Sequence, residues 1–170
     1  CYHKDFFSSN TGAVSPYMIK KLGVNNTIIG HSDNRAEGDT NLIIKSKVKY
    51  ALKNNLKVIF CIGENKNQKK MKKTFQVLKK QITSSLDPKY NSSNIIVAYE
   101  PIWSIGTGII PSTNELLNTT KFIKKTLKKL FKNKKTPAVL YGGSVDGANV
   151  SQFKEIREID GFLIGGASKS

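Results

Sequence analysis

Short, uniformly apolar runs alternate along this chain with longer amphipathic segments, and this alternation restricts the fold more than any other feature. The apolar runs predict strands at 27–29, 57–62, 94–99, 138–141 and 161–164. Apolar residues at helical spacing predict helices at 40–52, 69–86, 113–131 and 148–156. A further helix is predicted to begin at Ser15-Pro16, a cap followed by a proline, and to end at Gly23.

The predicted strands are apolar throughout instead of alternating between apolar and polar residues. Such strands are typical of a parallel sheet that helices cover on both faces. Repeated strand–helix order indicates the α/β class, and open doubly wound sheets and closed barrels are both compatible with it at this point. We find no linker, low-complexity segment or second domain, so residues 1–170 are interpreted as a single domain.

Composition bears on which classes of partner the chain binds and on the cellular compartment in which it functions. The net charge is +16, but 26 of the 28 basic residues are Lys, and they are scattered along helical segments. Nucleic-acid recognition favours Arg, so we interpret the charge as a solvated surface and expect no nucleic-acid partner. No apolar run approaches the ~20 residues of a membrane span, so no membrane role is expected. Cys1 and Cys61 form no disulfide framework, and a buried, reduced Cys61 favours a cytoplasmic protein.

Four of the predicted strand ends are polar or rich in glycine. Enzymes of the α/β class place their active sites at the carboxyl ends of such strands. The four segments are 30–33, 98–108, 141–144 and 165–168. We therefore expect them to meet at one edge of the sheet.

Glu100 ends a buried strand and is followed by Pro101 and Trp103. Removal of this carboxylate from water would raise its pKa towards the range of a general base. Considered alone, a structural or ion-paired glutamate is the more common interpretation. The loop Ser104–Gly108 that follows is donor-rich and flexible, as are lids that close over small anionic ligands.

His31 and two glycine turns complete the candidate site. His31 follows a strand, and considered alone it is more commonly a hydrogen-bonded core histidine. If it lies at the start of a helical turn, the helix dipole would lower its pKa and favour a neutral imidazole. Gly142-Gly143-Ser144 and Gly165-Gly166 both follow apolar strands. Glycines let backbone N–H groups approach a phosphate, and two such turns on the last strands match the phosphate site of barrel enzymes.

The segment from Ala98 to Gly108 resembles the signature of the triosephosphate isomerase family. Further motifs match that family in the same order and at close to its spacing: Gly30-His31-Ser32, Cys61-Ile62-Gly63-Glu64, Tyr141-Gly142-Gly143-Ser144-Val145 and Gly165-Gly166-Ala167-Ser168. The resemblance spans the chain. It implies an incomplete (β/α)8 TIM barrel of about six of the eight βα units, from the end of the third strand through the eighth.

The resemblance also assigns roles. Glu100 would move a proton between the two carbons of an enediol and a neutral His31 would polarise the carbonyl, a pairing for which this family is a standard worked example. The substrates would be dihydroxyacetone phosphate and glyceraldehyde 3-phosphate, with no metal or organic cofactor. The phosphate would bind at Gly106, Ser144, Gly165 and Gly166, beneath a lid of Trp103, Ser104, Ile105, Thr107 and Gly108. Supporting residues would be Asp33, Glu64 and Tyr141, and a homodimer would form through the loop around Thr11 and Gly12.

Several positions depart from the family pattern. Asp33-Asn34 replaces Glu-Arg, and Ala13 replaces a glutamate that pairs with that arginine across the dimer. Because both charges are lost together, we expect a retained, weaker dimer. Pro111 stands where the family has an N–H that bonds the tyrosine matching Tyr141. We therefore expect the closed lid to lose about 1 kcal/mol.

The family's catalytic lysine follows its first strand, and residues 1–170 include no matching segment. A complete barrel needs about 250 residues. We therefore expect the polypeptide 1–170 alone to be inactive and poorly soluble. Two alternatives stay open: another phosphate-binding barrel enzyme, which would lack the Glu-Pro-Ile-Trp lid, and a degraded, non-catalytic relative that serves as a binding protein.

Overall fold

A computed structural model of the chain describes residues 10–132 and 134–169. Its five strands form one parallel sheet in which each strand pairs with the next along the chain. The strands are β1 Asn26–Ile29, β2 Lys57–Ile62, β3 Ile95–Tyr99, β4 Ala138–Tyr141 and β5 Gly161–Phe162. The predicted parallel α/β arrangement is confirmed. The strand of the sixth predicted unit, which was expected to end near the start of the chain, lies outside the described residues.

Within residues 10–132 and 134–169, seven helices connect or precede the strands. They are α1 Pro16–Lys21, α2 Ser32–Ala36, α3 Asn41–Lys53, α4 Lys66–Lys70, α5 Thr74–Ser85, α6 Thr113–Leu130 and α7 Val150–Lys154. Short 3₁₀ turns cover Ser92–Asn94 and Gly166–Lys169. Ser15 caps α1 by accepting from the Met18 N–H, as its position before Pro16 predicts. None of the helices in the described ranges is sufficiently long and apolar to cross a bilayer.

The predicted helix over 69–86 was wrong in its extent, because the structure divides the segment into α4 and α5. Asn65 caps α4 through a reciprocal capping box with Gln68, and the helix begins at Lys66, three residues before the predicted start at Lys69. Lys72 then adopts a φ of 56°, a left-handed conformation that ends α4 and separates it from α5. The predicted helix over 148–156 is also shorter, and the side chain of Asn149 bonds the Ser144 carbonyl instead of capping it.

The apolar spacing of the segment 40–52 predicts a buried face formed by Leu42, Ile43, Val48 and Leu52, and of these only Val48 is fully buried. The fully buried residues of α3 are Ile44, Val48 and Ala51, at the i, i+4, i+7 spacing of one helical stripe. Leu42 is 75% exposed. The prediction counted apolar residues without fixing which stripe faces the sheet.

The two faces of the sheet are buried to different extents. Ile29, Phe60, Val97 and Val139 lie in register on the helix-covered face and are all buried. The neighbouring row, on the other face, begins with Ile28, which is 47% exposed. The prediction that helices cover both faces of the sheet is therefore wrong for the face that carries Ile28. An incomplete barrel accounts for it, because only a closed barrel covers its inner face.

The carboxyl ends of the strands meet at one edge, as expected. Sheet-like hydrogen bonds continue past the strand ends there: the Glu100 N–H donates to Ile62 O at 2.8 Å, and the Gly142 N–H donates to Tyr99 O at 2.9 Å. These bonds fix the backbone that carries the candidate site.

Candidate active site

A cavity of about 350 Å³ opens at the carboxyl edge of the sheet. It collects the predicted catalytic and phosphate-binding residues and part of the lid: His31, Glu100, Ile105, Gly106, Gly108, Ser144, Gly165 and Gly166. Gly142, Gly143, Val145, Asp146, Leu163 and Ala167 complete its lining. Segments that are far apart in sequence are thus brought to one place by the parallel strand order.

Glu100 lies at the floor of this cavity and is 8% exposed. Burial raises the pKa of its carboxyl, and the negative charge of Asp33 adds to this shift, whereas the Cys61 thiol and His31 oppose it. Its Oε2 atom is buried and has no hydrogen-bond partner among the described residues. A buried, unpartnered carboxylate oxygen is suited to accept a proton from a bound molecule.

His31 faces Glu100 across the cavity. Its Nε2 lies 3.7 Å from Glu100 Oε1, and its Nδ1 accepts a hydrogen bond from the Asp33 N–H at 3.3 Å. Where Nδ1 is an acceptor the ring proton is on Nε2, so this bond favours the tautomer whose Nε2–H is directed towards the cavity. The ring is the N-cap of α2, as its position before Ser32 predicts.

The lid residues lie against the loop that follows β4. Ser144 Oγ donates to Ser104 O and accepts from the Gly108 N–H at 3.2 Å. Gly106 and Gly108 have φ angles of 66° and 72°, in the region that favours glycine. The Ser144 hydroxyl, predicted as a phosphate donor, is therefore used in docking the lid, although the residue still lines the cavity.

Tyr141 and the trailing end of the lid have partners that Pro111 does not remove. The Tyr141 hydroxyl donates to Gly143 O at 2.8 Å and lies 3.4 Å from Ser104 Oγ. Ser104 Oγ in turn donates to Ile109 O at 2.6 Å. The trailing end is thus held through a carbonyl, and the lid as seen here depends on no N–H at position 111.

Glu64 lies behind the cavity and is fully buried. It accepts hydrogen bonds from Trp103 Nε1 at 2.9 Å and from the Tyr99 hydroxyl at 3.2 Å. Burial raises the pKa of Glu64, and the bonds from Trp103 and Tyr99 and the charge of Lys69 oppose that shift. Glu64 holds Trp103, at the leading end of the lid, and Tyr141 contacts the lid at Ser104. Neither residue lines the cavity.

Asp33 is placed differently from the other predicted supporting residues. Its side chain is 82% exposed, and its Oδ2 is 3.4 Å from His31 Nδ1. Asp33 contributes its backbone N–H, which any residue except proline supplies, and a negative charge that raises the pKa of Glu100. The change from the family's glutamate to Asp33 therefore leaves the orientation of His31 intact.

Gln81 and Arg35 support the site and were missed by the sequence analysis. Gln81, on α5, pairs with both the N–H and the carbonyl of Gly63, each at 3.0 Å. A Cβ at Gly63 would lie 1.9 Å from Glu100 O, so this strand end must be glycine and must be held in place. The only sequence signal was a polar residue between the buried Leu78 and Ile82.

Arg35 connects the ends of two strands. Its Nε donates to Gly30 O at 2.8 Å, and a terminal nitrogen donates to Cys61 O at 3.3 Å. The resemblance includes an arginine here but gave it no role at the site. It orders the backbone directly before His31 and near the end of β2, where Ile62 O accepts from the Glu100 N–H.

Glycine at position 142 leaves space for the Glu100 carboxylate. A Cβ there would lie 3.0 Å from Glu100 Cγ. Gly165 and Gly166 face open space instead. Within the described part of the chain no Lys or Arg lines the cavity. An anion bound there would therefore accept hydrogen bonds chiefly from backbone N–H groups. Over the same ranges, no group of three or more His, Cys, Asp or Glu side chains is arranged to hold a metal ion.

Comparison with known proteins gives one consistent result. The chain matches the family model for triosephosphate isomerase over residues 3–170. It is 36% identical over 176 residues to the triosephosphate isomerase of Leptospira interrogans, covering 99% of this chain and 70% of that protein. It is 42% identical over 164 residues to that of Debaryomyces hansenii, covering 93% and 65%. The crystal structure of triosephosphate isomerase from Bartonella henselae superposes with a TM-score of 0.90 at 32% identity, covering 99% of this chain and 69% of that one.

Proposed function

Because this chain belongs to the triosephosphate isomerase family, we propose that Glu100 and His31 interconvert dihydroxyacetone phosphate and glyceraldehyde 3-phosphate in its cavity. The chain is an isomerase with an incomplete (β/α)8 barrel. The observation that carries the residue assignment is the facing pair of a buried, unpartnered carboxylate oxygen and an imidazole Nε2–H.

The reaction moves one proton between neighbouring carbons, with no net change in oxidation state. Glu100 takes a proton from the carbon next to the carbonyl, and the electron pair of that C–H bond forms the carbon–carbon double bond of an enediol. The carbonyl oxygen gains charge as this happens, and His31 Nε2–H gives its proton to that oxygen, which completes the enediol. His31 Nε2 then takes the proton of the neighbouring hydroxyl, whose oxygen becomes the new carbonyl oxygen, while the Glu100 carboxyl returns its proton to the other carbon.

The phosphate of the substrate would bind at the opposite side of the cavity from the reacting carbons. Gly106, Ser144, Gly165 and Gly166 line that side and place their main chain within reach of a phosphate. Because the Ser144 hydroxyl bonds the lid, its backbone N–H is the better candidate for phosphate contact. The closed lid excludes water, which strengthens each of these electrostatic interactions.

We further propose a homodimer through the turn at Thr11 and Gly12. The Ala13 N–H donates to Asn10 O at 3.1 Å, which forms a tight exposed turn with Gly12 at a φ of 82°. Exposed apolar side chains follow it at Val14, Met18 and Leu22. An apolar surface of this kind is suited to a second copy of the chain. Sedimentation of a Met18→Asp variant should show the monomer, and an unchanged dimer would contradict this interface.

We also propose a cytoplasmic location, supported by Cys61. This free thiol is buried, and burial raises its pKa, so it stays protonated and unreactive. Unpaired cysteines of this kind are usual in reducing compartments.

The decisive experiment is an isomerase assay of the complete gene product, with both triose phosphates as substrates. We expect turnover in both directions, about 100-fold or more lower in a His31→Gln variant. Glu37→Gln, an exposed substitution on the same segment, is the matched control and should be silent. Binding of a triose phosphate without turnover would instead support the non-catalytic relative.

The polypeptide 1–170 should be assayed separately. Because it contains no match to the family's lysine-bearing strand, we expect no measurable turnover from it alone. Measurable isomerase turnover from the purified polypeptide 1–170 would overturn this expectation.

A further inference from the structure

Lys69 on α4 contacts both segments from which the lid is suspended. Its Nζ lies 3.3 Å from the centroid of the Trp103 ring, at the leading end of the lid. The same Nζ is 2.8 Å from Glu115 Oε1. Glu115 is on the first turn of α6, the helix that begins directly after the trailing end, and its N–H is capped by Ser112 Oγ at 3.2 Å.

We propose that Glu115 is a positioning residue for the lid, which holds the Lys69 ammonium on the Trp103 ring and thereby stabilises the docked lid. This inference rests on the proposed function, because it concerns the lid of that same site. We refer to Trp103, Lys69 and Glu115 below as the lid clamp.

The Trp103 side chain is fixed at two places. Its Nε1–H donates to the buried Glu64, which sets the position of one edge of the ring. The cation of Lys69 covers the ring face, where it is attracted by the ring quadrupole. A ring held at both its edge and its face is restricted in tilt, and so is the lid backbone that continues from it.

Glu115 is needed because the surroundings of Lys69 are strongly basic. The sequence from Asn65 to Leu86 contains no Asp or Glu, and Lys66, Lys70 and Lys73 are near Lys69 on the same segment. Like charges at helical spacing repel one another and would favour movement of the ammonium away from Trp103. The Glu115 carboxylate opposes this repulsion from the adjacent helix. The pair is partly shielded, with the Lys69 and Glu115 side chains 33% and 40% exposed.

The lid clamp also joins the two ends of the lid. Trp103 precedes the glycine-rich tip, and Glu115 follows Pro111 and Ser112. A docked lid requires both ends to keep their separation, since Gly108 and Ser104 must reach the same Ser144 hydroxyl. Through Lys69, the start of α6 and the ring of Trp103 are held as one unit.

The test compares Glu115→Gln, Lys69→Met and Lys69→Arg in the complete gene product. We expect the first two to lower kcat/KM by about 3- to 10-fold, mainly through a higher KM, and Lys69→Arg to restore it. The double variant Lys69→Met/Glu115→Gln should be no worse than the poorer single variant, because both remove one interaction. Glu158→Gln, which breaks the surface pair with Lys121, is the matched control.

A second readout is independent of turnover. Trp103 is the only tryptophan of the 170 residues, and in the complete gene product its ¹⁹F-labelled indole is assigned as the resonance that a Trp103→Phe variant loses. Glu115→Gln and Lys69→Met should broaden or shift this resonance, and about 0.5 M salt should produce the same change in the parent protein but not in Lys69→Met. An unchanged resonance in Glu115→Gln, or additive losses in the double variant, would overturn the proposal. Loss of turnover in the parent protein would instead contradict the proposed function.

Discussion

The floor of the cleft and its lid are built in different ways. The floor carries Glu100 and Gly142 on backbone that continues the sheet, and there is no space for a side chain at Gly142. The lid is held by individual side-chain bonds, chiefly those of Ser144 and Glu64. The sheet thus sets the position of the Glu100 carboxylate and leaves little room for substitution. The stability of the docked lid is instead a sum of separate side-chain contacts, each of which can be removed singly. Substitutions at the floor should be severe and those at the lid graded.

The largest effect is expected for Glu100→Gln at the floor. The amide keeps the shape of the side chain but cannot take a proton from carbon, so kcat should fall by about 1,000-fold or more with a modest change in KM. Steady-state assays in both directions measure this. Glu64→Gln is the matched control, since its amide oxygen can still accept from Trp103 and Tyr99. A similar loss in both variants would show that the floor and the lid support are not separable.

The same substitution tests whether burial of Glu100 is costly to the fold. Its pKa is raised in the folded state, so its contribution to stability is fully present below the ordinary glutamate pKa and is lost as pH rises through the raised value. Glu100→Gln removes this loss. We therefore expect the variant to gain stability relative to the parent protein as pH increases from about 4 to 8.

Urea unfolding of both proteins across that pH range measures the difference. A constant difference between them would mean that Glu100 titrates in the folded protein as it does in the unfolded chain. The same raised pKa predicts that activity falls as pH decreases, at a higher pH than for an exposed glutamate. Activity without an acid limb in this range would contradict Glu100 as the base.

The floor was also the more predictable region. Glu100 and His31 were predicted as site residues because each lies at the end of a short apolar run, where a polar side chain in a strand–helix pattern indicates the edge of the sheet that carries the site. The contacts of the lid clamp, and of Gln81 with Gly63, join residues 18 to 46 positions apart, and no local pattern specifies them. The division of the segment over 69–86 was missed for a related reason, since the left-handed Lys72 carries no turn residue that marks it. Sequence periodicity sets the elements, whereas their side-chain contacts depend on how the elements pack.

An intermediate effect is expected for Ser144→Ala. The change removes one hydroxyl that joins Gly108 N–H and Ser104 O, so two polar groups of the lid lose their partner. At about 1 kcal/mol for each bond, kcat/KM should fall by about 10- to 30-fold. Thr107→Val, which removes a hydroxyl within the lid itself, is the comparison variant. A 1,000-fold fall in kcat/KM would mean that Ser144 is as important to the reaction as the residues of the floor, and it would contradict the distinction between the two regions.

The smallest effect is expected for Pro111→Ala, although this substitution restores the N–H that the family pattern includes. In this chain the Tyr141 hydroxyl donates to Gly143 O, and Ile109 O accepts from Ser104, so the hinge is already anchored. A new N–H would have to compete with Gly143 for Tyr141, while alanine would also loosen the hinge. The two effects oppose each other, and we expect kcat/KM to change by no more than about 2-fold. Tyr141→Phe should cost more, because it removes the bond that the lid support does use. If Pro111→Ala instead raised kcat/KM about 5-fold or more, the missing N–H would be a true deficit, and the lid would be less adjustable than its separate contacts indicate.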